Sequence, residues 1–123
     1  LHNFRPLCAN GLLFRDGRVC TDCIGGNTFN AVRNACYRGS RIASAPLALR
    51  NRGGLARNPL LQRAERVIVL SERSRAVYAA ADPDLESRLE VLPNGLEDRA
   101  TGSRQDTRSG WVFIGRVSEE KGT

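Results

Sequence analysis

The sequence predicts an α/β protein: a partial, Rossmann-like parallel sheet carrying a cysteine-rich loop. Three observations lead there. The run Arg66-Val67-Ile68-Val69-Leu70 is apolar and β-branched without alternation, the pattern of a parallel strand buried on both faces. A helical stretch follows at Ser71, and Leu89-Glu90-Val91-Leu92-Pro93 then reads as a second strand, so strand, helix and strand alternate over crossover lengths. Ahead of this unit lie all four cysteines, Cys8, Cys20, Cys23 and Cys36, among glycines that supply turns.

Bulk properties narrow the class. At 123 residues, with 41% apolar and 26% charged residues, the chain has the size and composition of one ordinary globular domain. No apolar run approaches the ~18 residues of a transmembrane helix, and Leu1 to Cys8 contains no signal-peptide apolar core. The chain contains no Met, and it reads as a piece of a longer reading frame. The net charge is +6, and of the 19 basic residues only Lys121 is a lysine. Arginine forks suit phosphates and carboxylates, although GC-rich coding also produces such a bias. The arginines spread from Arg5 to Arg116 without a dense block, and the aromatics do not interleave with them, which argues against nucleic acid as a partner. Acidic membrane surfaces and phosphate-bearing substrates remain compatible with the charge.

Taken in order, residues 6–28 are turn-rich and hold three of the cysteines, so a loop or knuckle is expected there. A helix is expected over 30–38, and a longer one opens at Ser40 and runs through Arg50. Residues 51–54 break it, and 55–64 form a further helical stretch. The strand at 66–70 comes next, with Ser71 as the N-cap of a helix to Ala81. Asp82-Pro83-Asp84 starts a short helical turn, 89–93 form the second strand, and Asn94-Gly95 signal a turn. Residues 97–109 are polar and read as a linker, and Trp111 to Gly115 read as a third strand. The expected organisation is a first domain over 1–96 with its cysteine-rich region at 8–36, a linker over 97–109, and the start of a second domain over 110–123.

The cysteine spacing is C-x11-C-x2-C-x12-C. In Cys20-Thr21-Asp22-Cys23 two residues separate the thiols, which lets both sulfurs reach one tetrahedral ion, and Cys8 with Cys36 would complete a closed structural zinc site. Two disulfides, unliganded thiols and an iron–sulfur cluster are the alternatives that four cysteines leave open. A thioredoxin-like pair is disfavoured, because Cys20 is not expected to follow a strand and open a helix.

The end of the chain, Gly110 to Thr123, reads as a strand running into a turn with two cations. Ligands of open α/β sheets bind outside the carboxyl ends of strands. Gly115 would let the backbone approach a ligand, and Arg116 and Lys121 could clamp a diphosphate. A solvated charged turn is the plainer alternative. Gly115-Arg116-Val117-Ser118-Glu119-Glu120-Lys121-Gly122 resembles the G-R-[LV]-x-x-E-K-G segment of group-1 (family 4) glycosyltransferases with the GT-B fold. Leu92-Pro93-Asn94-Gly95-Leu96 is similar to the stretch before that family's domain linker, and Arg66 to Glu72 to its last N-terminal core strand and the following serine. His2-Asn3-Phe4-Arg5 resembles the H-N-[FY]-R of one subgroup, whose cysteine-rich stretch is similar to Leu13 to Cys23 and Cys36 to Ala45. The resemblance spans nearly the whole chain.

The resemblance implies a retaining glycosyltransferase of the hexosyltransferase type, using a UDP- or GDP-sugar as donor and a glycan or lipid-linked acceptor. Gly115, Arg116 and Lys121 would hold the donor diphosphate, the two cations stabilising charge on the departing nucleoside diphosphate. His2 would act in the cleft near the transferred sugar, with Asn3 and Arg5 as acceptor or cleft contacts; a plain strand-end histidine is the alternative for His2. Ser71 is expected to cap a helix rather than touch ligand. The family's Gly-rich loop would precede Leu1 and its E-x7-E carboxylates would follow Thr123, so this chain alone is expected to be inactive. The location implied is cytoplasmic, with peripheral docking on the inner membrane face. The competing readings are a zinc-stabilised nucleic-acid-binding module, resting on the cysteines and the +6 charge, and a purely structural or regulatory α/β domain.

Overall fold

A computed structural model describes residues 1–25, 27–95, 110, 114, 115 and 117. Leu1–Pro93 make one compact unit, and Asn94–Thr123 make a second.

The first regular element of the first unit is a hairpin that the cysteine-based reading missed. Strands β1 (Phe14–Arg15) and β2 (Arg18–Val19) pair antiparallel, Phe14 opposite Val19 and Arg15 opposite Arg18. The two turn residues, Asp16 and Gly17, have φ of 52° and 74°. Two consecutive positive φ angles define the turn whose twist matches that of paired strands, and Asp-Gly is a preferred sequence for it. The expected loop over 6–28 is thus interrupted by a short sheet.

Helix α1 covers only Phe29–Arg33, shorter than the expected 30–38. The chain leaves the helix at Ala35, whose φ is 48°. Ala35 N donates to Val32 O at 3.1 Å and Cys36 N to Ala31 O at 3.0 Å. This is a Schellman closure with alanine in the left-handed position that glycine usually takes. Helix α2 (Arg41–Arg50) starts where expected, because the Ser40 side chain accepts from Ala43 N at 3.2 Å. The expected helix at 55–64 is instead two pieces, a 3₁₀ turn at Leu55–Arg57 and helix α3 at Pro59–Arg63. Asn58 divides them. It is extended (φ −79°, ψ 111°), as a residue before proline tends to be, and its side chain caps α3.

Strand β3 (Val67–Val69) leads into helix α4 (Glu72–Ala81), which is capped by Ser71 accepting from Ser74 N at 3.1 Å. Asp82 caps the 3₁₀ segment Pro83–Arg88, and strand β4 (Leu89–Val91) pairs parallel to β3. The register sets Val67, Ile68 and Val69 against Leu89, Glu90 and Val91, and Leu92 N adds a bond to Val69 O at 2.9 Å. The unit is therefore a small mixed α/β structure with one antiparallel and one parallel two-stranded sheet. Val67 and Val69 are buried while Ile68 is 45% exposed. Burial on both faces of this strand does not hold: α4 packs against β3 and β4, and Ile68 lies on the other face. Asn94 and Gly95 are exposed, and Leu96, on which the expected turn would close, lies outside the described residues.

Two apolar clusters hold the first unit. The larger joins Leu7, Leu13, Leu55, Leu61, Val69, Tyr78, Leu85 and their neighbours. The smaller has only Ala9, Ala31 and Ala48 as its buried members, with Cys23, Cys36, Val32 and Leu47 against it. Helices α1 and α2 meet there, tied by Thr28 Oγ1 donating to Ala48 O at 2.8 Å and Tyr37 N donating to Ser44 Oγ at 3.0 Å.

In the second unit Ile114 and Gly115 are exposed and belong to no strand. The rest of the expected third strand, residues 111–113, and the expected linker lie outside the described residues. Among the described residues no helix is long and apolar enough to cross a membrane.

Candidate functional site

Four short backbone devices bring the cysteines together. Cys8 sits in a tight turn: Leu7 N and Cys8 N both donate to Phe4 O, at 2.9 and 2.8 Å, Gly11 N donates to Cys8 O, and Phe4 N to Gly11 O. Gly11 has φ +81°, and a Cβ there would meet Arg5 Cγ at 2.9 Å, so glycine is needed on both counts. Cys20 follows β2 directly and extends its ladder, its N–H donating to Leu13 O at 2.8 Å. The chain then enters a turn, not a helix, with Ile24 N bonded to Thr21 O, and this presents Cys23. Cys36 is aimed by the Schellman closure of α1.

All four thiols are free and line one cavity of about 10 Å³. Cys8 is buried and the others are half-buried. Burial pushes the Cys23 thiol up to about 11, and negative charge on Cys8, Cys36 and Cys20 adds to the rise. Burial likewise raises Cys36, with Cys8 adding and the Arg15 guanidinium opposing. The sulfurs are therefore within electrostatic reach of one another. They surround the cavity without closing on a point: among the described residues no three His, Cys, Asp or Glu side chains are arranged to hold a metal ion.

Arg15 also lines this cavity, a placement that the cysteine pattern does not reveal. Its Nη2 donates to Asp22 Oδ2 at 3.0 Å. Nε lies 3.2 Å from Asp16 Oδ2 but is not directed along a hydrogen bond, and among the described residues the covered Nε and Nη1 atoms have no acceptor. Burial opposes the cation, yet Cys20, Asp22, Asp16 and Cys36 outweigh it and hold the Arg15 pKa above its ordinary value. The signal that would have found Arg15 is the Asp16-Gly17 turn, which sets the residues around it in a hairpin.

A second feature lies at the carboxyl end of β3. His2 and Asn3 line a 40 Å³ cleft with Leu70, Ser74 and Tyr78. Tyr78, 1% exposed, anchors this segment: its hydroxyl donates to Asn3 O at 2.7 Å and its ring lies 5.7 Å from that of Phe4. The Leu1 amine donates to Ile68 O, so the segment also touches the strand. Arg5 is not part of the cleft. Its carbonyl accepts from Arg50 Nη2 and Asn51 Nδ2, at 3.0 and 2.8 Å, and its guanidinium lies 5.8 Å from the Tyr37 ring centroid. Ser71 is occupied as a helix cap. Of the expected diphosphate group, Gly115 is an exposed bend, while Arg116 and Lys121 lie outside the described residues.

No protein-family model, curated protein or solved structure matches the chain.

Proposed function

We propose that the chain is part of a retaining glycosyltransferase of the hexosyltransferase type, which moves a sugar from a UDP- or GDP-sugar to a glycan or lipid-linked acceptor. The observation that carries this reading is the position of His2 and Asn3. They line a cleft at the carboxyl end of β3, beside Ser74 in the first turn of α4, in a parallel strand–helix–strand unit. Open α/β sheets bind their ligands at this end of their strands. The resemblance of His2 to Arg5, of Arg66 to Glu72 and of Gly115 to Gly122 to one glycosyltransferase family supplies the reaction class.

In this reading the unit is a partial Rossmann-like domain on the acceptor side, and His2 faces the transferred sugar. Arg116 and Lys121 neutralise the diphosphate as the bond to the anomeric carbon breaks, with Gly115 permitting close backbone approach. The work is done in the cytoplasm, at the inner membrane face when the acceptor is lipid-linked. The activity belongs to the protein that also supplies the nucleoside pocket and the E-x7-E carboxylates.

The test uses the complete reading frame that encodes this chain. The purified protein is given UDP- and GDP-hexoses with glycan and lipid-linked acceptors, and nucleoside diphosphate release and sugar transfer are measured. Acceptor-dependent release is expected. No release from any donor, with or without acceptor, rejects the reading.

A further inference from the structure

We propose that Cys8, Cys20, Cys23 and Cys36 bind one structural zinc ion as four thiolates, with Arg15 as the cation that offsets the charge of the loaded centre. This does not depend on the transferase reading.

Four observations point there together. The first is convergence: the thiols come from the turn at 4–11, the end of β2, the turn after it and the end of α1, yet they line one cavity. The second is size. A cavity of about 10 Å³ admits one water-sized occupant, which fits a single ion and not a multi-iron cluster. The third is the half-buried Arg15. Among the described residues its Nε and Nη1 have no acceptor, and a donor withdrawn from water favours a nearby anion. Zinc with four thiolates carries a net charge of about −2, so the loaded centre would add a third anion to Asp16 and Asp22 around this guanidinium.

The fourth is the weakness of the surrounding core. The buried members of the local cluster are three alanines, Ala9, Ala31 and Ala48. Small side chains bury little apolar surface and hold the α1–α2 contact beside Cys23 and Cys36 poorly, although Cys8 and Leu13 on the other wall belong to the larger cluster. Small structures with little core are commonly stapled by a metal.

Loading requires the sulfurs to close from the cavity wall to about 2.3 Å from the ion. It also requires deprotonation: one Zn²⁺ enters, four Zn–S bonds form, and as many protons as the thiols still carry pass to the buffer. Cys8 Sγ donates to Asn10 Oδ1 at 2.9 Å in the thiol form, and that bond is given up when its proton leaves. Asn10 keeps its other partners, Leu12 N and Phe14 O, so the turn stays formed.

The experiment uses the full chain, purified under reducing conditions. Elemental analysis and native mass spectrometry are expected to give about one zinc per chain. Cobalt exchanged for zinc is expected to show the intense visible absorption of a tetrahedral tetrathiolate. Cys23→Ser and Cys36→Ser are expected to lose that spectrum. Because those variants also weaken the fold, Arg15→Ala provides the second test. It keeps all four ligands and is expected to bind zinc about 10-fold more weakly, the scale of losing a partner just outside the ligand shell. Iron with a cluster chromophore, mass-mapped disulfides among these cysteines, or less than about 0.2 equivalents of zinc together with no cobalt spectrum would overturn the proposal. Unchanged zinc affinity in Arg15→Ala removes the role given to that residue.

Discussion

Tyr78→Phe isolates the hydrogen bond that ties the His2 segment to α4. The ring stays, so its packing among Leu85, Val69 and Phe4 is retained. Only the hydroxyl is removed, and with it the 2.7 Å bond to Asn3 O. A neutral hydrogen bond contributes about 1 kcal/mol. The Asn3 carbonyl lies near the surface, where water can replace the lost donor, so the expected loss is about 1 kcal/mol rather than a full desolvation penalty. Urea unfolding at pH 8 measures it. The same variant has a signature in pH. Burial raises the Tyr78 pKa above its ordinary value of about 10. The folded state thus keeps a proton that the unfolded state releases. The stabilisation is complete below pH ~10 and is lost as pH rises from there toward the folded-state value. Wild type should therefore lose stability above about pH 10 more steeply than Tyr78→Phe does. Equal stability at pH 8 would refute the assignment of this bond as the anchor, and parallel pH profiles would refute the burial of the hydroxyl.

Three further substitutions test other parts of the argument. Ser71→Ala removes the cap of α4 and should lower unfolding stability by about 1 kcal/mol, whereas a ligand-binding serine at an exposed position would leave stability unchanged; chemical denaturation decides. Gly17→Val places a β-branched residue at φ 74°, should destabilise the hairpin by about 1–2 kcal/mol, and should lower zinc occupancy, since Cys20 continues that ladder; equal zinc content would separate the hairpin from the centre. In the complete protein Lys121→Ala should reduce kcat/KM for the nucleotide-sugar at least about tenfold, equivalent to about 1.4 kcal/mol, and unchanged kinetics would remove Lys121 from the diphosphate site.

The parts of the fold that were legible are those set by local signals. Ser40 and Ser71 mark helix starts because a short hydroxyl side chain satisfies a backbone N–H that the helix leaves unpaired. The sequence from Val67 to Val91 shows its crossover because apolar run, cap and helix follow without interruption. Other parts failed for identifiable reasons. The helix at 55–64 was divided by Asn58-Pro59, where the residue before proline leaves the helical region. The helix from 30 stopped at Arg33 through a left-handed Ala35, a residue type that gives no warning of such a stop. The hairpin signal was present at Asp16-Gly17 but lay inside a stretch dominated by cysteines. Of the candidate site, the spacing of the thiols is compatible with the one cavity they line, though among the described residues no three are arranged to hold an ion. It did not anticipate Arg15 beside them, nor that Arg5 would turn to Tyr37 while His2 and Asn3 lined the cleft, because both depend on tertiary placement.

Phe4 connects the cysteine cavity with the His2 cleft, and this gives a measurement of how far the proposed zinc centre would reach. Its carbonyl accepts the N–H groups of Leu7 and Cys8, its own N–H donates to Gly11 O, and its ring lies 5.7 Å from that of Tyr78. The turn that aims Cys8 is therefore the same stretch of backbone that carries His2 and Asn3 to β3. A zinc ion holding Cys8 would restrain that turn, and removing it should loosen the turn first. In hydrogen exchange, chelation should speed the amides of Phe4, Cys8, Gly11 and Cys20 about tenfold or more, the equivalent of at least 1.4 kcal/mol of lost local protection. The amides of β3 and β4, paired with each other and covered by α4, should exchange as before. If all amides accelerate together, the metal supports the whole unit in one cooperative transition. If none do, Cys8 is not held by the ion. The expected pattern, confined to the turn and the hairpin, would mean that the cysteine centre positions the His2 segment while the parallel pair stands on its own burial.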